Sequence, residues 1–171
     1  MKLKWWKTKV ESKNSYLSNN KGTAAIEFAI VSPAFFLLFI GILEIGSIML
    51  IKTTLEKAIF QVSRFGRTGG SVAGQTSQQV AVGLATQYTF GLVDPSKLVL
   101  TITPYANFSS MPSLGQAPTT GVQNFGAGNQ PVLYTLSYDW NFFTPLVGKY
   151  LSQNGTSMKL TASAVIQNEP F

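Results

Sequence analysis

Between Ala24 and Ile51 the chain carries only two charged residues, Glu27 and Glu44. As a helix at ~1.5 Å per residue, this stretch reaches about 42 Å, against a hydrocarbon core of about 30 Å. It is therefore expected to cross a membrane once, with each carboxylate near an end. Phe35, Phe36, Leu37, Leu38, Phe39 and Ile40 fill its centre. A secretory signal has a shorter apolar region followed by a small-x-small cleavage site. Here the apolar run is longer, and a helical pattern continues beyond it. Pro33 lies inside the segment; it removes one backbone hydrogen bond and is expected to bend the axis. Gly41 and Gly46 stand five residues apart, not at the four-residue spacing of tight helix dimers.

The charge balance sets orientation. The net charge is +6, and residues 1–22 account for most of it, with six lysines against Glu11. Residues 23–171 hold seven basic and six acidic groups. A basic leader before a span, with only Lys52 and Lys57 just after it, keeps the N-terminus in the cytoplasm and sends the C-terminal part outward. The same location argues against nucleic-acid binding, which needs Lys and Arg gathered on a folded face.

Glu27 and Glu44 each need an explanation, because a bare carboxylate in lipid is costly. Lys21 could reach toward Glu27, and Lys52, two turns away, partway toward Glu44. For Glu44 the plainer reading is an interfacial or neutral carboxyl group. Glu27 is expected to have a specific partner.

Past the span, Leu55, Ile59, Val62 and Phe65 recur on one helical face, with Lys57, Arg64 and Arg67 off it. Gly69-Gly70 is the expected helix end. One helix over 23–69, spanning at about 24–51 and amphipathic beyond, follows. Arg64 and Arg67 are read as solvated or touching headgroups. A second helix is expected over 78–90, with Val82, Ala85 and Tyr88 or Thr89 inward. Asp94-Pro95 is a turn. Strands are expected at 98–103, 132–140 and 157–166, the middle one alternating strongly. Residues 107–131 are rich in Ser, Gly, Pro, Asn and Gln and uncharged, a long polar loop. Residues 142–151 read as a short apolar helix or turn. The fold class is α+β: a long N-terminal helix packed on a small antiparallel sheet, in a single-pass membrane protein. Its parts are a basic cytoplasmic leader (1–22), the long helix (23–69) and an extracytoplasmic α+β domain (70–171).

The chain contains neither cysteine nor histidine, so disulfides and Cys/His metal sites are excluded. It has no Walker motif and no Gly-x-Ser-x-Gly. Outside the span the acids are Glu56, Asp94, Asp139 and Glu169, and they are scattered. No enzyme activity, metal, cofactor or small-molecule substrate is expected. Trp140-Asn-Phe-Phe143 reads as core packing rather than a binding patch.

Lys21-Gly22-Thr-Ala-Ala-Ile-Glu27-Phe28, leading into an apolar helix, resembles the leader of type IV prepilin-like proteins. More closely, Gly22 to Pro33 followed by Gly41-Ile-Leu-Glu44-Ile-Gly46 is similar to the TadE-like family, the pseudopilins of the tight-adherence (Tad, Flp pilus) system. Ser63-Arg64-Phe65-Gly66-Arg67 and the closing Glu169-Pro170 fit the same resemblance. It implies a pilin-like fold and cleavage by a prepilin peptidase between Gly22 and Thr23. It also implies a register role for Glu27 beside Phe28, and a second intramembrane acid at Glu44. The implied protein is a minor pseudopilin that primes, caps or anchors a pilus. Its partners would be other pilins and pseudopilins, the peptidase and the inner-membrane assembly platform. An uncut anchored scaffold of the same machine, or an unrelated membrane-tethered binding module, are the alternatives.

Overall fold

A run of 45 residues from Thr23 to Arg67 forms one α-helix, α1, that passes through Pro33 without a break. The computed structural model describes residues 22–112 and 123–171. Two compact units share this helix, Met1–Ile40 and Gly41–Phe171. In the first, the described residues are helix alone, and the large apolar side chains from Ile26 to Ile40 are exposed. That fits a surface meant for lipid, since a helix apolar all round is stable only when something apolar covers it.

In the second unit, the α1 positions Ile51, Leu55, Ala58, Ile59 and Val62 are buried in one core with the sheet. Leu55, Ile59 and Val62 match the expected stripe, each worth about 1.5–3 kcal/mol of transfer free energy. Phe65 is only half-buried. The helix closes through Gly69, at φ +70°, where only glycine avoids a Cβ clash. The Gly70 N–H donates to the Phe65 carbonyl at 3.1 Å and the Gly69 N–H to the Gly66 carbonyl at 3.1 Å. These two bonds satisfy carbonyls that the helix end would otherwise leave unpaired.

α2 spans Ser77–Tyr88. Thr76 caps it, accepting from the Gln79 N–H at 3.2 Å while the Gln79 side chain accepts from the Thr76 N–H at 2.8 Å. Its buried positions are Val80, Ala81 and Ala85, followed by Thr89 in the cap. The expected inward position Val82 is instead a partly buried flank. Tyr88, the other candidate beside Thr89, also only flanks the core.

β1 (Leu98–Pro104), β2 (Pro131–Asn141) and β3 (Ser157–Gln167) form an antiparallel sheet in the order β1-β2-β3. Alternation sets which face is dry. On β2, Val132, Tyr134, Leu136, Tyr138 and Trp140 are buried, whereas Asp139 is exposed. On β3, Leu160, Ala162 and Ala164 face the same core. The opposite face carries Thr and Ser, with the Thr135 and Ser163 hydroxyls 3.4 Å apart. α3 is the short helix Pro145–Leu151 between β2 and β3.

Within the expected loop 107–131, Asn107 caps a 3-10 turn at Phe108–Ser110. Residues 113–122 lie outside the described residues. The loop's return contributes to the core: Phe125 is buried, edge-on to Phe65 with ring centres 5.8 Å apart. Gln123 Oε1 accepts the Ile102 N–H at 3.1 Å, which covers a donor on the edge strand β1.

The last residues close the end of α1 where it leaves the sheet. Arg67 pairs with Glu169 at 3.0 Å, and the Glu169 N–H donates to the Arg67 carbonyl at 3.0 Å. Arg67 is therefore not simply solvated, as its sequence position implied. Buried Asn168 donates to the Phe125 and Ala127 carbonyls at 2.7 and 2.9 Å.

Candidate functional site

Two places on α1 hold the residues singled out from sequence. The first is its start. Gly22 forms the turn that precedes Thr23, the first residue of α1. Gly22 is exposed, and nothing lies within 4 Å of where a Cβ would stand. Glu27 is exposed one turn into the helix, and Phe28 is 66% exposed beside it. Among the described residues the ion pair formed is Arg67–Glu169, so Glu27 has no cationic partner there. Lys21, its expected neighbour, lies outside the described residues, as does the rest of the basic leader.

The second place is Glu44, where the structure departs from the expected interfacial position. Glu44 is fully buried, at 0% exposure. Its Oε1 accepts from the Trp140 indole Nε1 at 3.1 Å and from the Phe143 backbone N–H at 3.0 Å. Its Oε2 accepts from the Phe143 N–H at 3.1 Å and the Thr144 N–H at 3.2 Å. Lys52 is exposed, and these neutral donors occupy the place it was expected to approach. Thr144 precedes α3 and makes no side-chain cap of its own. Glu44 thus gathers the backbone N–H groups of Phe143 and Thr144, the two residues that lead into α3.

Trp140 shapes this contact. It is buried, and it packs edge-on against Phe143 with ring centres 5.0 Å apart and planes at 86°. The expected core role holds for Trp140, while Phe143 is 70% exposed. The helix carries Glu44 to this spot by periodicity. Glu44, Ile51, Leu55, Ala58 and Val62 recur at steps of seven, four, three and four, with half-buried Ile48 between the first two. The carboxylate therefore lies on the buried stripe, and the spacing is the signal that could have placed it there.

The remaining expected features are quieter. Gly41 and Gly46 have nothing within 4 Å of a Cβ position, so neither is needed for close packing inside this chain. Gly66 is different: an added Cβ there would strike the Tyr134 hydroxyl and come within 2.6 Å of Phe125 Cδ1. Tyr134 is buried, and burial pushes its hydroxyl well above the ordinary phenol range because ionisation would strand a charge in the core. Asp94 is held below its ordinary value by the hydroxyl and backbone N–H of Ser96, at 2.7 and 3.0 Å, which is turn chemistry. Among the described residues no group of three His, Cys, Asp or Glu side chains could hold a metal ion.

Both Glu27 and Glu44 lie in the segment that known proteins share. Residues 22–64 match the family model of the TadE-like proteins. This is a TadE-like segment. The match starts at Gly22 and ends within α1, so the sheet, α2 and α3 lie outside it. No curated protein and no solved structure matches the chain. The TadE-like segment points to a role in Tad/Flp pilus systems. α1 is also long and apolar enough to cross a membrane. Together they indicate a membrane-anchored protein associated with pilus machinery.

Proposed function

We propose that the chain is a non-enzymatic minor pseudopilin that serves in assembly of a Tad/Flp pilus, by priming, capping or anchoring it. The N-terminus lies in the cytoplasm, the domain beyond α1 lies outside the inner membrane, and a prepilin peptidase cuts between Gly22 and Thr23. Its partners are other pilin-like subunits and the inner-membrane assembly platform. One coincidence carries the reading. The TadE-like match begins at Gly22, α1 begins at Thr23, and the junction between them is exposed.

The chemistry of the junction supports the same reading. Cleavage there would free an amine on Thr23, at the very start of the helix. Thr23 and Glu27 are four residues apart and share a helical face. A carboxylate near lipid is costly unless paired. The Thr23 amine of a neighbouring subunit offsets that cost and sets the axial register between helices.

Two measurements test this. The intact mass of the mature protein is expected to lack residues 1–22; a mass that retains them would favour an uncut scaffold. Glu27→Gln is expected to leave membrane insertion unchanged and to remove the protein from sheared surface filaments. Normal recovery of that variant in filaments would rule out the register role.

A further inference from the structure

We infer that the end of the domain nearest Glu44 is a lipid-contacting platform, with α3 and the turn around Leu92 seated on the bilayer that α1 crosses. The inference rests on the membrane-anchored reading of α1. The sheet register places the relevant turns together. Leu98 pairs with Tyr138, and Asn141 pairs with Ser157. The connections 89–97 and 142–156 therefore leave the same end of the sheet, the end where Trp140 meets Glu44. A groove of about 370 Å³ at this end is lined by Ser47 and Leu50 of α1, Leu92, Lys97, Trp140 and Phe143.

The depth of this end follows from α1. Glu44 binds the backbone of Phe143 and Thr144 directly, so the start of α3 lies level with Glu44. The first cation after Glu44 on α1 is Lys52, about 12 Å further along the helix. Between them Ile45, Met49 and Leu50 are exposed and apolar. With Lys52 near the headgroups, the start of α3 falls at or below the headgroup layer.

The surface there has the composition of an interfacial element. Tyr150 is 82% exposed, Phe143 70%, and Leu146 and Leu151 are also exposed. Across the sheet end, Phe90 is exposed on a left-handed backbone (φ 53°), beside exposed Leu92. A bulky side chain rarely adopts that conformation, and here it displays an aromatic ring outward. From Trp140 to Asn168 the only charged residues are Lys149 and Lys159. An aromatic and aliphatic surface flanked by Lys97 and Lys149 suits headgroups over acyl chains, and the one acid on these two connections, Asp94, is engaged by Ser96 within its own turn. The apolar patch is continuous with the exposed side of α1, whose cover is lipid.

The chain has no cysteine, so single cysteines can each carry an environment-sensitive fluorophore. Full-length protein in vesicles of mixed phosphatidylglycerol and phosphatidylethanolamine is labelled at Tyr150→Cys, at Phe36→Cys inside the span, and at Ser109→Cys at the opposite end of the sheet. Doxyl-labelled lipids are expected to quench the probe at 150 nearly as fully as that at 36, leaving the probe at 109 bright. Quenching at 36 with a water-exposed probe at 150 overturns the platform and leaves the anchor standing. A blue-shifted probe at 150 that doxyl lipids do not quench means a protein neighbour covers the patch, which also overturns it. Loss of quenching at 36 overturns the anchor and the platform together.

Discussion

Glu44→Ala is expected to detach the turn at Phe143–Thr144 from α1 and to cost roughly 3 kcal/mol of domain stability. The carboxylate is dry, and it receives the Trp140 indole N–H and two backbone N–H groups. Alanine leaves the buried indole N–H and the two part-buried backbone N–H groups without this acceptor. It also opens a cavity beneath Trp140, whose edge-on packing with Phe143 depends on that floor. Glu44→Gln keeps the volume but sets an amide NH2 against backbone donors, so it should cost about half as much. Thermal unfolding in detergent micelles measures the loss. Hydrogen exchange at the amides of Phe143 and Thr144 localises it. Unchanged protection at these two amides in Glu44→Ala would contradict the role given to the carboxylate.

Gly66→Ala is expected to destabilise the domain by about 1–3 kcal/mol through overpacking. The new methyl meets the Tyr134 hydroxyl and lies 2.6 Å from the Phe125 ring. Neither ring can retreat far, because Tyr134 sits in the central strand and Phe125 is wedged against Phe65. Tyr134→Phe removes the clashing oxygen. That hydroxyl is buried without a hydrogen-bond partner, so the single change should be neutral or mildly stabilising. The double variant should then regain a large part of what Gly66→Ala loses. Equal losses in single and double variants, compared by denaturant midpoint, would show that the hydroxyl is not the obstacle.

These two sites also show where sequence was readable. Alternation along β2 is strong from Thr135 on, where one face is dry and the other holds Thr135, Ser137 and Asp139, so its inward residues were legible; Leu133, on the polar side, is buried as well. The α1 stripe was legible from Leu55 onward, where Glu56, Lys57 and Arg64 mark the wet side. Above Leu55 it was not, because the residues opposite the stripe are apolar too and face lipid. A buried side and a lipid side then look alike. Glu44 was conspicuous, but its indole partner lies 96 residues away, beyond any local pattern. The need for glycine at position 66 comes likewise from a tyrosine on a distant strand. The Thr76–Gln79 capping box was passed over in the sequence, and it starts α2 one residue before the expected position. At the N-terminus, Gly22, Glu27 and Phe28 were legible as a motif, and the family match begins there.

The part of α1 that packs on the sheet is held at both ends, by Glu44 against the turn before α3 and by Arg67 against Glu169. The pins stand about 35 Å apart along the helix axis. A rod fixed at two separated points can neither roll nor slide on the surface beneath it. A pull arriving along α1 would load both pins and the packed stripe between them at the same moment, in shear. Fastenings loaded in parallel resist far more force than fastenings undone one after another. Along this stretch α1 is therefore a handle that does not peel from the sheet it carries.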